Sequence, residues 1–122
     1  MGIAIKRVYE APAGGDGYRV LIDRLWPRGL KKEAVAMDVW AKELAPSTEL
    51  RQWFGHDPAR WDEFRQRYAA ELADSADVWQ ALARRSAKEP VTLLYGARDE
   101  EHNDAVALKA LMEQWLRRHK LR

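Results

Sequence analysis

One segment of the chain combines charged and aromatic side chains directly after a short apolar run. The run Tyr18–Ile22 is typical of a buried strand, and Asp23, Arg24, Trp26 and Arg28 follow it. Open α/β sheets bind ligands just beyond the carboxyl ends of their strands. Arginine offers a fixed fork of donors that matches phosphate or carboxylate, and tryptophan can stack on a planar group. We therefore expect these four residues to bind an anionic, planar ligand.

A second polar group follows the clearest strand pattern of the chain, the near-continuous apolar run Val91–Tyr95. Arg98, in the loop after this run, is a further candidate for binding an anion. His102 is a candidate general acid or base because histidine titrates near neutral pH, and Asp99 is a second catalytic candidate. If the sheet is parallel, we expect Arg24 and Arg98 to share one crevice, at which the N-terminus of the last helix points.

The predicted crevice has Trp26 and Tyr95 as walls, and Asn103 completes its set of ligand-binding residues. We expect no metal or cofactor, since the histidines are widely scattered and the sequence has no phosphate-binding loop. No serine has the glycine-flanked setting of a nucleophile. If the protein is an enzyme, this inventory favours non-covalent hydrolysis or lyase chemistry through His102 or Asp99.

These charged groups have a structural interpretation that the sequence leaves open. The three arginines would brace the fold if they paired with Asp23, Asp38 or Asp99, because a charge beside a buried strand needs a partner. Acidic residues near position 99 also favour the first turn of a helix. His56 precedes a predicted helix cap, where a structural hydrogen bond is its expected use.

Composition places the chain among globular proteins that bury a core of their own. It has 122 residues, of which 47% are hydrophobic and 33% charged, and it has no cysteine. The lack of cysteine excludes disulfides and a thiolate nucleophile and favours the cytoplasm. No apolar run approaches the roughly 20 residues that a membrane span needs. We expect one domain over residues 1–122, in the cytoplasm, with no membrane partner.

Basic residues cluster only at the end of the chain, although the net charge is just +2. The cluster consists of Arg117, Arg118, Lys120 and Arg122. A solvated last helical turn is its expected role, because cations suit the negative end of the helix dipole. The alternative is a contact with nucleic acid, although dedicated binders usually have a larger basic surface. The oligomeric state is open, and a homodimer is one alternative.

Periodicity predicts the elements that position these side chains. Alternating or apolar runs predict four strands, at Ile3–Tyr9, Tyr18–Ile22, Met37–Trp40 and Val91–Tyr95. Three helices in the middle of the chain have predicted caps at Ser47 or Thr48, Asp57 and Ser75. A short helix is expected over Leu30–Val35, and an apolar stripe predicts a last helix around residues 108–116. This order predicts a small three-layer α/β domain with a mainly parallel central sheet flanked by helices.

Several blocks of the chain match the pattern of a known family. They include Asp23-Arg24-Leu25-Trp26-Pro27-Arg28-Gly29 and further blocks at residues 5–9, 17–21, 44–51, 53–54, 56–58, 93–95 and 97–103. On these blocks the chain resembles the YeaO-like branch of domain-of-unknown-function family 488 over almost its whole length. The resemblance implies a small bacterial or archaeal α/β protein and does not by itself imply an activity.

The same resemblance bears on catalysis. Members of the wider family often carry a cysteine after the last buried strand and a Cys-His-Arg signature near the start of the following helix. In this chain the strand ends in Tyr95 and the helix begins near His102, with no cysteine at either place. Any chemistry that the signature supports in relatives is therefore expected to be lost or replaced here.

These observations predict a protein that binds a small anionic, phosphorylated or nucleotide-like ligand beyond the carboxyl ends of two strands. The alternative is a non-catalytic module that contacts nucleic acid or a regulatory partner through the basic C-terminal helix. The two predictions differ in what binding depends on. The first depends on Arg24, whereas the second depends on the residues after Leu116 and on low salt.

Overall fold

Five consecutive buried residues form a central strand of the sheet, β4 (Val91–Tyr95). The computed structural model describes residues 2–119, and in it β4 lies between β1 (Ile3–Arg7) and β2 (Tyr18–Leu21). The short β3 (Val39–Trp40) pairs with the other side of β2, which gives the strand order β1-β4-β2-β3. All pairings are parallel, so the carboxyl ends of these strands lie at one edge of the sheet.

The α-helices of the described chain pack on one face of this sheet. They are α1 (Thr48–Phe54), α2 (Trp61–Leu72), α3 (Ala76–Arg85) and α4 (Asp104–His119). The period of two along β4 directs Val91, Leu93 and Tyr95 to this face, where they meet apolar side chains from all four helices. Within residues 2–119, no helix is both long and apolar enough to cross a membrane.

The opposite face of the sheet is covered by an irregular segment. Where we expected a short helix over Leu30–Val35, the chain forms only a 3-10 turn at Lys32–Ala34. Such a short segment has little intrinsic helical stability and offers few apolar side chains to pack. The side chains that cover this face are those of Trp26, Leu30, Met37 and Trp40. The small α/β domain with a parallel sheet is confirmed, with its α-helices on one face instead of both.

The helix starts follow the predicted caps at two of three positions. Oγ of Ser47 accepts a 3.1 Å hydrogen bond from the N–H of Leu50 and so caps α1. Asp57 accepts a backbone hydrogen bond at the turn that leads into α2. Ser75 does not cap α3 with its side chain, because its hydroxyl donates to the carbonyl of Glu43 instead.

A buried carboxylate fastens the loop between β1 and β2 to both strands. Asp16 forms an ion pair with Lys6 of β1 at 3.0 Å and another with Arg19 of β2. Burial alone would raise the pKa of Asp16, but the N–H of Ala13 and the two cations lower it overall. This carboxylate is therefore ionised under ordinary conditions and stabilises the fold through its cations.

Candidate functional site

The carboxyl edge of the sheet holds a cavity of about 400 Å³. Residues that follow three of the strands line it: Tyr9 after β1, Asp23 and Arg24 after β2, and Gly96 after β4. Residues from α1, α2 and the start of α4 complete the lining. Open α/β sheets bind ligands at this position, and small-molecule sites usually measure ~300–1,000 Å³. The cavity is therefore the leading candidate for a functional site.

A hydrogen bond joins the ends of two neighbouring strands inside the cavity. Oδ2 of Asp23 accepts it from the N–H of Gly96, at 2.7 Å. After β2 the chain passes to the face that Trp26 covers, whereas after β4 it continues into α4 on the helix face. Because the two connections diverge to opposite faces, a crevice opens between them.

Three arginines line the cavity, and none of them forms an ion pair within residues 2–119. Arg24 and Arg28 follow β2, Arg51 belongs to α1, and all three are exposed. Nε of Arg24 donates to the carbonyl of Pro46 at 3.3 Å, which holds the side chain at the cavity. Five arginines elsewhere do pair with carboxylates: Arg19, Arg60, Arg65, Arg67 and Arg85.

The aspartates that were expected to brace Arg24, Arg28 and Arg98 have other partners. Asp23 accepts the hydrogen bond from Gly96, and Asp38 accepts one from the N–H of Arg19 at 2.8 Å. Asp99 is bound to the ring of His102. The interpretation in which these aspartates neutralise the predicted arginines is therefore wrong.

Two carboxyl groups meet in the cavity. Asp104, the first residue of α4, lies beside Asp23 in the lining. Burial, the charge of Asp23 and a hydrogen bond with its carboxyl raise the pKa of Asp104 well above its ordinary value. The pair therefore retains a proton to higher pH than two separate carboxyl groups would. Even with both acids ionised, the three cavity arginines outnumber them, so the charged side chains of the lining sum to a positive charge.

A histidine and an aspartate form a second polar pair at the start of α4. Nδ1 of His102, a lining residue, lies 2.9 Å from Oδ2 of Asp99. The ring of Trp61 meets the His102 ring edge to face, with centroids 5.3 Å apart. This arrangement orients the imidazole and is a geometry that acid–base chemistry or ligand binding can use.

The apolar part of the lining comes from aromatic rings. Phe54 of α1 and Phe64 of α2 are stacked with centroids 4.4 Å apart. Trp26 packs edge to face on Trp40, at 5.2 Å, and its Nε1 donates to the carbonyl of Leu30 at 2.6 Å. The Trp26 ring therefore contributes apolar surface to the lining, while its N–H is already hydrogen-bonded to Leu30.

Six of the nine residues predicted for the site come together in the lining. They are Asp23, Arg24, Trp26, Arg28, His102 and Asn103. The side chain of Asn103 is used to begin α4, because its Oδ1 accepts from the N–H of Val106 and its Nδ2 donates to the carbonyl of Asp99. We therefore assign Asn103 a structural part in shaping the cavity.

The other three predicted residues, Tyr95, Arg98 and Asp99, lie outside the lining. Tyr95 is only 2% exposed and belongs to the helix-face core, because it is on the same face of β4 as Leu93. Arg98 is exposed in the loop after β4, which carries it away from Arg24, so the two do not share the crevice. Asp99 contacts His102 and the backbone of its own loop instead of the cavity.

Sequence reasoning missed four polar residues of the lining: Tyr9, Arg51, His56 and Asp104. The ring of His56 makes no hydrogen bond within residues 2–119, so the structural use expected for it is not observed. Its φ of 57° follows Gly55 at 54°, and this left-handed pair turns the chain toward the cavity. A histidine directly after a helix-ending glycine was the only sequence signal for it.

No metal centre is evident in the described part of the chain. Within residues 2–119, no three side chains of histidine, cysteine, aspartate or glutamate are grouped closely enough to hold a metal ion.

Comparisons with known proteins identify the family. Residues 2–121 match the family described as "Inactive DUF488-N3 subclade". The chain is 46% identical to the uncharacterized protein YeaO of Escherichia coli (strain K12) over 117 residues, which covers 96% of this chain and 98% of YeaO. It is 47% identical to the uncharacterized protein Rv3073c of Mycobacterium tuberculosis (strain H37Rv) over 92 residues, covering 74% and 78% of the two chains. No solved structure shows significant similarity. The chain therefore belongs to the YeaO-like proteins of the inactive DUF488-N3 subclade.

Proposed function

We propose that the protein binds a small anionic ligand, of the phosphorylated or nucleotide-like class, in the cavity at the carboxyl edge of its sheet. The observation that carries the proposal is the set of three arginines, Arg24, Arg28 and Arg51, which line one cavity without an ion pair in residues 2–119. Guanidinium groups at a surface cleft bind phosphate or carboxylate through paired, charge-assisted hydrogen bonds.

The rest of the lining supports a ligand with a planar part as well as an anionic part. Phe54, Phe64 and Trp26 supply aromatic surface, and Asp23 with Asp104 supplies carboxyl groups. A nucleotide-like molecule combines these features, because a charged phosphate adjoins a flat, hydrogen-bonding ring. The description of the subclade as inactive supports binding without turnover.

The proposal is tested by calorimetric titration of inorganic phosphate, ribose 5-phosphate and nucleoside monophosphates at low and high salt. We expect at least one of them to bind, and Arg24→Ala or Arg51→Ala to weaken that binding about tenfold to a hundredfold, the usual cost of a charge-assisted hydrogen bond. The matched control is Arg117→Ala with Arg118→Ala, which removes two exposed arginines of α4 outside the cavity. This control should bind like the wild type.

The same titrations also test the two alternatives, which are binding of nucleic acid and catalytic turnover. Binding only of oligonucleotides, lost at high salt and in the α4 control variant, would replace the proposal with the nucleic-acid prediction. Of the basic cluster behind that prediction, Arg117 and Arg118 are described here, while Lys120 and Arg122 lie outside the described residues. Hydrolysis or cleavage of a bound ligand during titration would show turnover, for which His102 and Asp99 are the candidate residues.

A further inference from the structure

His102 is held in one orientation by both oxygens of one carboxylate. Oδ2 of Asp99 lies 2.9 Å from Nδ1 of His102, while Oδ1 accepts the N–H groups of Glu101 and His102 at 2.9 and 3.0 Å. The N–H of Glu101 and the His102 ring lower the pKa of Asp99. Asp99 therefore remains a carboxylate near neutral pH, and Nδ1 of the imidazole carries the hydrogen that is donated to it.

The other ring nitrogen has no protein partner. Within residues 2–119, Nε2 of His102 makes no hydrogen bond, and no fully buried side-chain nitrogen or oxygen lacks one. Nε2 is therefore accessible from outside, which agrees with the 29% exposure of this side chain. Since His102 lines the cavity and Trp61 packs against its ring, the open nitrogen is available to a molecule in the cavity.

We propose that His102 is a ligand-binding residue of this cavity, that Nε2 is its contacting atom, and that Asp99 is the positioning residue that fixes its tautomer and orientation. The inference rests on the proposed function, because the anionic ligand is the group that Nε2 meets. Neutral His102 accepts a hydrogen bond at Nε2, whereas protonated His102 donates one and adds a positive charge. Anion binding is therefore coupled to proton uptake by His102.

Charged groups of both signs surround His102. From its own loop Asp99 contacts the ring, and Glu101 lies in the same turn. From α2, Trp61 contacts the ring, and the guanidinium of Arg65 lies 5.8 Å from the Trp61 centroid. The cavity lining adds three arginines, a second histidine and two acids: Arg24, Arg28, Arg51, His56, Asp23 and Asp104. A bound anion offsets the arginines and so favours the imidazolium.

The first test is the pH dependence of binding, measured by calorimetry with inorganic phosphate and ribose 5-phosphate between about pH 5.5 and 8.5, where histidine titrates. Because the phosphate group itself takes up a proton in this range, the readout is the ratio of the wild-type affinity to that of His102→Asn, which keeps a side-chain donor near Asp99 and removes Nε2. This ratio should increase by about tenfold as His102 gains its proton, the usual effect of a charge-assisted hydrogen bond, while the variant still binds at high pH. His119→Asn, at an exposed histidine of α4 outside the cavity, is the control variant and should behave like the wild type.

The second test examines Asp99 through the tautomer of His102, which imidazole ¹⁵N NMR of the protein reports directly. The wild type should carry its neutral-state hydrogen on Nδ1, and phosphate should shift the Nε2 resonance most. Asp99→Asn retains an acceptor for the loop N–H groups but removes the charge, so it should change the pH dependence of binding without abolishing binding. A purely structural role for Asp99 would change stability and leave that pH profile in place.

The outcomes separate this inference from the function on which it rests. If inorganic phosphate, ribose 5-phosphate and the nucleoside monophosphates all fail to bind the wild type, or if Arg24→Ala leaves binding unchanged, the proposed function is overturned. If binding depends on Arg24 but His102→Asn retains the wild-type pH dependence, only the role of His102 is overturned. A hydrogen found on Nε2 of the neutral ring would likewise refute the positioning role of Asp99.

Discussion

Oδ2 of Asp23 accepts a 2.7 Å hydrogen bond from the N–H of Gly96, which ties the chain beyond β2 to the chain beyond β4. This bond lies at the point where the connections of the two strands leave for opposite faces of the sheet. It holds Asp23 beside Asp104 and so sets the acidic part of the cavity. This one hydrogen bond, between a side chain and the backbone, therefore relates the neighbouring positions of β2 and β4 in the sheet to the geometry of the site.

The contact between Asp23 and Asp104 predicts a stability that falls as pH rises. The pKa of Asp104 is raised in the folded state, above its ordinary value of 3.8, by burial and by Asp23. Above pH 3.8 the native protein therefore retains a proton that the unfolded chain releases, and stability is lost as pH climbs through the native pKa. Asp104→Asn should remove this loss and be more stable than the wild type at pH 8, by roughly 1–2 kcal/mol.

The measurement is urea unfolding of both proteins at about pH 4 and pH 8, on either side of the expected loss. The contrast between the two pH values is the readout, because the N-terminus of α4 itself favours a negative charge and changes absolute stability. Asp74→Asn, at an exposed acid outside the cavity, is the control and should follow the wild type. Parallel curves for wild type and Asp104→Asn would contradict the shared proton.

The elements of the fold could be predicted from the sequence wherever one face of a segment is consistently apolar. The run Val91–Tyr95 is a strand as expected, and the helix expected after the cap at Asp57 is α2. The order β1-β4-β2-β3 was not predictable, because pairing of β4 between β1 and β2 joins residues more than 70 positions apart. The periodicity of apolar residues indicates which face of a segment is buried, but it does not indicate which strand lies beside that segment in the sheet.

The candidate site was predictable where its residues directly follow a strand and not where they depend on packing. Asp23 and Arg24 reach the cavity because the carboxyl ends of parallel strands share one edge. Arg98 follows β4 at a similar distance, yet the loop takes it elsewhere, since the direction of a loop depends on its own turns. Arg51 reaches the cavity through α1, whose position is set by packing of Phe54 on Phe64.

Asp16 predicts the opposite pH dependence from Asp104. Its pKa is lowered in the folded state, since the Ala13 N–H, Lys6 and Arg19 together outweigh the effect of burial. The stability that it contributes is therefore present above about pH 3.8 and is lost as pH falls through the lowered native pKa. Asp16→Asn leaves the buried Arg19 without its carboxylate and should cost about 3 kcal/mol at pH 7.

Equilibrium urea unfolding at pH 7 measures this cost, with an exposed ion pair as the control. Glu89→Gln breaks the ion pair with Arg85, in which the side chains of Glu89 and Arg85 are 42% and 45% exposed. This substitution should lower the free energy of unfolding by less than about 1 kcal/mol. A loss for Asp16→Asn no larger than for Glu89→Gln would show that burial of the Asp16 cluster does not strengthen it.

A substitution at Gly96 tests the geometry of the cavity without removing any charged group. A Cβ atom at this position would lie 3.1 Å from Oδ2 of Asp23, closer than ordinary van der Waals contact. Gly96→Ala should therefore displace the Asp23 carboxyl, weaken the 2.7 Å hydrogen bond and disturb the contact with Asp104. The backbone of Gly96 does not adopt a positive φ, so the effect arises from this contact and not from strain.

The expected result of Gly96→Ala is a shift in the pH dependence of unfolding toward that of Asp104→Asn, together with weaker binding of any ligand that the cavity takes. Gly14→Ala is the matched control, since a Cβ there would meet nothing within 4 Å, and it should leave both properties unchanged. Because a backbone N–H and a carboxylate form the bond, its loss should cost about 1–3 kcal/mol of stability. Wild-type binding and pH dependence in Gly96→Ala would mean that the bond between the strand ends does not set the position of Asp23.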